Sequence, residues 1–359
     1  MTFDFDRVID RRASDSNKWR KYPPDVLPLW VADMDFASPP AVVQALRDRV
    51  EHGFFGYLME KPELHEVVAE RVAKRYGWRV SPEAVVPLPG VIAGFNLALR
   101  ALTSPGEGLL VQTPVYPPIL RAAGNHGLTR DEHALTRGAD GRYTVDLGTF
   151  ARALRERTRA FLLCNPHNPV GRVFERAELE GMAAACARRD VWIIADEIHG
   201  DLPLDGRRHV PIATLSPEIE ARTLTFMAPS KTFNLPGLKC AVAIIPNATL
   251  RERLAAAVAD LVPKINVLGH APPSPPTARV TRGWRRCCAT SRRTAPFSPT
   301  TCRAACPASP WRRPRRPISR GSTAAGPGSP TRSPSSSSAR RSRSTTAASS
   351  APAARASSA

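Results

Sequence analysis

Six short apolar runs, at residues 84–88, 108–112, 160–164, 191–195, 223–227 and 240–245, alternate with stretches of helical periodicity at 91–102, 147–157 and 176–188. That alternation predicts an α/β fold: a mainly parallel sheet with helices on both faces. Two more helices are expected ahead of it, one at 40–53 that opens on Pro40 and stops at Gly53, and one at 63–76. In sheets of this kind ligands collect beyond the carboxyl ends of the strands. Asn168, Asp196 and Lys231 all fall at or just past such an end. No internal repeat interrupts the pattern.

Each of the three has an ordinary explanation when taken alone. A lysine after a strand is usually a solvated side chain, Asn-Pro is a common turn, and an aspartate there can cap a helix. Taken together, an amide, a carboxylate and an amine are the groups that a pyridoxal phosphate ring asks of a protein. The Lys231 amine would form the Schiff base with the aldehyde. The Asp196 carboxylate would keep the pyridine nitrogen protonated. The Asn168 amide would donate to the ring's phenolate oxygen. A phosphate also needs donors. Gly90, Val91 and Ile92 open the helix at 91–102, where free backbone amides can take a dianion, and the Ser230 hydroxyl can add one more.

Four stretches carry a family resemblance: WVADMDF at 30–36, CNPHNPVG at 164–171, ADEIHG at 195–200 and APSKTFN at 228–234. They resemble the fold-type I pyridoxal-phosphate enzymes of the aminotransferase class I/II superfamily, and within it the MalY/PatB-type cystathionine β-lyases. The likeness runs from residue 1 to about 270.

This resemblance implies pyridoxal 5′-phosphate as cofactor, with Lys231 as the catalytic lysine and Asn168 rather than Asn165 on the ring oxygen. It implies that Tyr116 stacks on the ring and that Lys239 contacts the phosphate. Tyr57 would reach the phosphate of a neighbouring subunit, which makes the protein a homodimer. Relatives often carry a hydroxyl where this chain has Ala228. His199 stands where many aminotransferases have a tyrosine, which points to the lyase branch; a lone histidine is more often a satisfied structural residue, and contact with the cofactor site is the other reading.

The implied reaction is β-elimination from an amino-acid thioether such as cystathionine, giving a thiol, pyruvate and ammonia. An aminotransferase using the same groups is the alternative, as is a non-catalytic relative. The implied domains are a segment of a small lobe at 1–45, a large cofactor-binding domain at 46–270, and a tail at 271–359. The family binds the substrate carboxylate through an Arg-x-Asn-type motif, but no Asn follows Asn266 in this chain. Weak activity or none is therefore expected of the chain as written, with the small C-terminal domain missing or disordered.

The net charge of +19 would ordinarily suggest a nucleic-acid partner. Its distribution argues otherwise. Residues 271–359 hold 17 Arg and no Lys, Asp or Glu, which leaves 34 basic residues (51 less 17) against 32 acidic ones before them. The tail has no Leu, and its Arg/Pro/Ser/Ala-rich composition cannot bury a core. It reads either as a disordered basic tail or as GC-rich codons translated out of frame. The break falls where the family likeness stops, which favours the second. No motif there interleaves aromatic with basic residues, so no nucleic-acid partner is expected. The cysteine spacing suggests neither a disulfide framework nor a metal site. With no leader-like start and no run of 18 apolar residues, a cytoplasmic protein without membrane contact is expected.

Overall fold

The computed structural model describes residues 6–60, 62–202, 207–259 and 261–269. Helices α1 (Asn17–Arg20), α2 (Pro40–Glu51) and α3 (Pro62–Tyr76) come first. The sheet opens with β1 (Val85–Leu88), α4 (Val91–Leu102), β2 (Gly108–Thr113), α5 (Pro117–Asn125) and β3 (Thr129–Ala134). A small hairpin of β4 (Thr136–Arg137) and β5 (Tyr143–Thr144) leads into α6 (Leu147–Ala153) and β6 (Thr158–Cys164). Then come α7 (Arg176–Arg188), β7 (Trp192–Asp196), α8 (Pro217–Ala221), β8 (Thr223–Met227), α9 (Pro229–Thr232), β9 (Ala241–Ile244) and α10 (Ala248–Val258).

Seven strands form one sheet in the order β1-β9-β8-β7-β6-β2-β3. The pairs from β8 through β7, β6 and β2 to β3 are parallel, and β9 runs antiparallel to both of its neighbours. The mainly parallel α/β expectation therefore holds. Alternate residues of the central strands bury on opposite faces, which is why they read as unbroken apolar runs. Ala160, Leu162, Ile194, Leu224 and Phe226 pack with α4, α5 and α10. Phe161, Leu163, Ile193 and Ala195 pack with α6 and α7 on the other side.

Helices 91–102 and 176–188 fall where their periodicity placed them. The helix expected over 147–157 stops at Ala153, because Thr158 already pairs with Gly108 of β2 and the Thr158 hydroxyl accepts from Arg155 N at 2.8 Å. Elements α5, β3 and α10 were not foreseen. The two inward side chains of β3 are Asp131 and His133, so it lacks apolar alternation; Arg157 and Thr158 satisfy the Asp131 carboxylate at 2.6 and 2.9 Å. The 271–359 tail lies outside the described residues.

Candidate active site

Asp196 is the last residue of β7, and register pairs it with Cys164 of β6 and Phe226 of β8. All three thus share the sheet face that α4 covers. Asp196 is only 5% exposed, and the one hydrogen bond described for its carboxylate comes from Ile198 N at 3.2 Å. Burial raises its pKa to about 7; the neighbouring Glu197 adds to the rise, while Ile198 N–H and Lys231 oppose it. A buried carboxylate with a single donor has acceptor capacity left for a cation.

Lys231 lies in α9, just past the end of β8, and is half-buried. Its Nζ donates to Ala32 O at 3.0 Å. Burial lowers its pKa, against the pull of Asp33 and Asp196. His199, three residues beyond Asp196, is pushed down to about 4, first by burial and then by Lys231. The structure therefore brings Lys231 within electrostatic reach of both Asp196 and His199, with the imidazole neutral at ordinary pH.

Two loops flank this centre. Tyr116 N donates to Asn168 O at 2.9 Å, so the candidate stacking ring and the candidate amide share one backbone frame. Asn168 N is held to Cys164 Sγ at 3.5 Å. The buried His167 bridges the loops, with Nδ1 facing Cys164 O at 3.1 Å and Nε2 facing Pro114 O at 2.9 Å.

Gly90 leads into α4 in an extended conformation, and the first α4-type bond runs from Gly94 N to Gly90 O at 2.9 Å. The N–H groups of Val91, Ile92 and Ala93 precede it and have no partner within the helix. A Cβ on Gly94 would lie 2.6 Å from the Phe226 ring, so α4 packs close against β8 at this point. Ser230 is half-buried beside Lys231, and Lys239 is exposed with a left-handed backbone (φ 52°). Tyr57 is fully exposed, at 110%.

Sequence reasoning missed several supports of the site. Asp201 accepts from Arg71, Tyr76 and Thr232, the residue next to Lys231, at 2.5, 3.0 and 3.1 Å. Glu197 and His209 form a wholly buried pair at 2.7 Å behind Asp196. Residues 32–36 lie against Lys231 and Asn234. The WVADMDF and APSKTFN stretches were the available signal, but nothing local in them shows that Asp33 or Asn234 would meet the other stretch.

The donor set fits pyridoxal phosphate: a buried carboxylate for the ring nitrogen, an amine for the aldehyde, and helix amides for the phosphate. The aminotransferase class I and II family model matches residues 24–279. Cystathionine beta-lyase PatB of Bacillus subtilis (strain 168) is 37% identical over 260 residues, covering 71% of this chain and 67% of that protein. The cystathionine beta-lyase of Corynebacterium glutamicum is 35% identical over 233 residues, 64% of this chain and 60% of that one. The chain thus spans three fifths to two thirds of the length of these relatives. Cystalysin from Treponema denticola, solved with a pyridoxal 5′-phosphate cofactor, matches with a TM-score of 0.76 at 30% identity, covering 80% of this chain and 75% of that chain. The chain belongs to the aminotransferase class I and II family of pyridoxal-phosphate enzymes.

Proposed function

We propose that this protein is a carbon–sulfur β-lyase that cleaves cystathionine or a related cysteine S-conjugate to a thiol, pyruvate and ammonia. The reading rests chiefly on the half-buried Lys231 amine and the buried Asp196 carboxylate acting on each other at the carboxyl edge of the sheet. The names of the matched relatives supply the reaction class.

Pyridoxal phosphate, when bound, supplies an electron sink for negative charge at the substrate Cα. The protein's own groups do the rest. Asp196 would hold the proton on the ring nitrogen, and a cation opposite it offsets the burial that otherwise favours its neutral form. Lys231, its pKa lowered by burial, takes the Cα proton as general base, a role worth about 10²–10⁴-fold. Neutral His199 adds no second positive charge beside that amine. The α4 amides and Ser230 would hold the phosphate, with Lys239 at its outer side. Asn168 would donate to the ring oxygen and Tyr116 would cover the ring.

Lys231→Ala is expected to lower C–S cleavage, weak as the missing carboxylate motif should leave it, by at least about 10²-fold, measured as pyruvate release from cystathionine. Unchanged release would remove Lys231 from the mechanism. The same assay run without any added keto acid separates the lyase from an aminotransferase, the reading that the family description favours.

Three further parts of the reading concern the whole protein. The exposed side chains of Phe54, Phe55, Tyr57 and Met59 suit a homodimer in which Tyr57 reaches the partner's phosphate site. The unpaired Cys164, Cys186 and Cys240 suit a reducing compartment such as the cytoplasm. Residues 271–359 read best as out-of-frame translation; resequencing the gene across codons 260–280 tests this, and an unchanged frame would refute it.

A further inference from the structure

The geometry points to Asn234 as a positioning residue that couples the N-terminal segment to Lys231. It fastens residues 34–36 so that the Ala32 carbonyl meets the lysine amine. Asn234 lies three residues beyond Lys231 with a left-handed backbone (φ 56°). Its Oδ1 accepts from Met34 N at 3.1 Å, and its Nδ2 donates to Met34 O and Phe36 O, each at 2.9 Å. The side chain thus reads the segment as a neighbouring strand would, though about 200 residues separate the partners. Ser38 Oγ adds a 3.0 Å bond to Asn234 O. From the other side, Arg11 holds Asp33 and Asp35 at 3.0 and 2.8 Å, and Lys18 Nζ holds Asp33 O at 2.7 Å.

Between these two clamps, Ala32 O accepts from Lys231 Nζ at 3.0 Å. A carbonyl acceptor fixes the direction of a flexible four-carbon amine without neutralising it. The freed Lys231 must reach and take the proton of one carbon, so this direction decides how fast it can do so. A loosened segment would let the amine wander while leaving Asp196 and the α4 amides in place.

The inference rests on Lys231 as the cofactor-binding lysine, so the experiment tests that separately. The full-length, cofactor-loaded protein is compared with N234G, N234D and S38A, which removes only the Ser38 bond to Asn234 O. Glycine keeps the left-handed backbone and deletes the side chain; aspartate keeps the Met34 N–H bond and loses both donated bonds. Borohydride reduction followed by peptide mapping should place the cofactor on Lys231 in all four.

Amide hydrogen exchange of residues 31–38 should quicken about tenfold or more in N234G. Exchange of the Cα proton of L-alanine, which has no group to eliminate, should slow by at least about tenfold in N234G and N234D, and by less in S38A. If Cα exchange in N234G and N234D equals wild type, whether or not the segment loosens, the coupling is refuted. Should N234G fail to fold, N234D alone decides by the same comparison. Cofactor trapped at a residue other than Lys231 would instead overturn the reading beneath it.

Discussion

Asp196 shows how a candidate functional residue can oppose folding. Burial holds its carboxyl near 7, whereas an unfolded chain titrates near 3.9. Between those values the folded state binds more protons than the unfolded one, so stability falls as pH rises through that window. Asp196→Asn removes the buried charge. In protein freed of cofactor it should therefore be more stable than wild type by about 4 kcal/mol at pH 8, and by little below pH 4. Urea unfolding at the two pH values checks this; an equal difference at both would deny that the charge is the cause. The same variant should hold the cofactor more weakly if, as proposed, Asp196 is the anionic partner of the ring nitrogen. Asp196 and Lys231 were legible in the sequence because their chemistry is specific and their place after a strand is local. Asn234 and Asp33 were not, because the contacts that give them meaning cross some 200 residues.

Among the elements, α4 links core packing to the proposed phosphate site. Gly94 lies on its first turn against Phe226, and a Cβ there would come within 2.6 Å of that fully buried ring and 3.0 Å of Leu88. Helix propensity alone would make Gly94→Ala stabilising by about 1 kcal/mol. Overpacking should win, giving a net loss of about 1–2 kcal/mol, because ring and helix are both locked between β8 and the rest of the core. As α4 tilts away, the amides of Val91 and Ile92 move with it, so cofactor affinity should fall as well. Calorimetry and a cofactor titration test the two halves separately, and a stabilised variant with unchanged affinity would reject the argument. The sequence revealed α4, α7 and β8 to the residue because each has one strong period and a clear stop. It concealed β3, whose inward positions are Asp131 and His133, since a strand stabilised by hydrogen bonds and an ion pair leaves no apolar signature. It also overran α6, because pairing of Thr158 with β2 ends that helix from outside.

For the molecule as a whole, composition misled until it was divided along the chain. Before residue 271 there are 34 basic residues (51 less 17) against 32 acidic ones, so the net charge there gives no argument for a nucleic acid. The more informative surface is apolar. Tyr57 and Met59 are 110% and 85% exposed, a state that isolated soluble domains seldom hold over a continuous stretch. If a second copy covers it and Tyr57 completes the partner's phosphate site, the defects in Lys231→Ala and Tyr57→Ala lie in different subunits of one site. Each variant alone should be nearly inactive at limiting cofactor. Mixed and allowed to exchange subunits, they should form about half heterodimers, each with one intact site. Pyruvate release should then recover to about a quarter of the wild-type rate. A mixture no more active than its parts would place Tyr57 outside the partner's site, even if sedimentation showed a dimer.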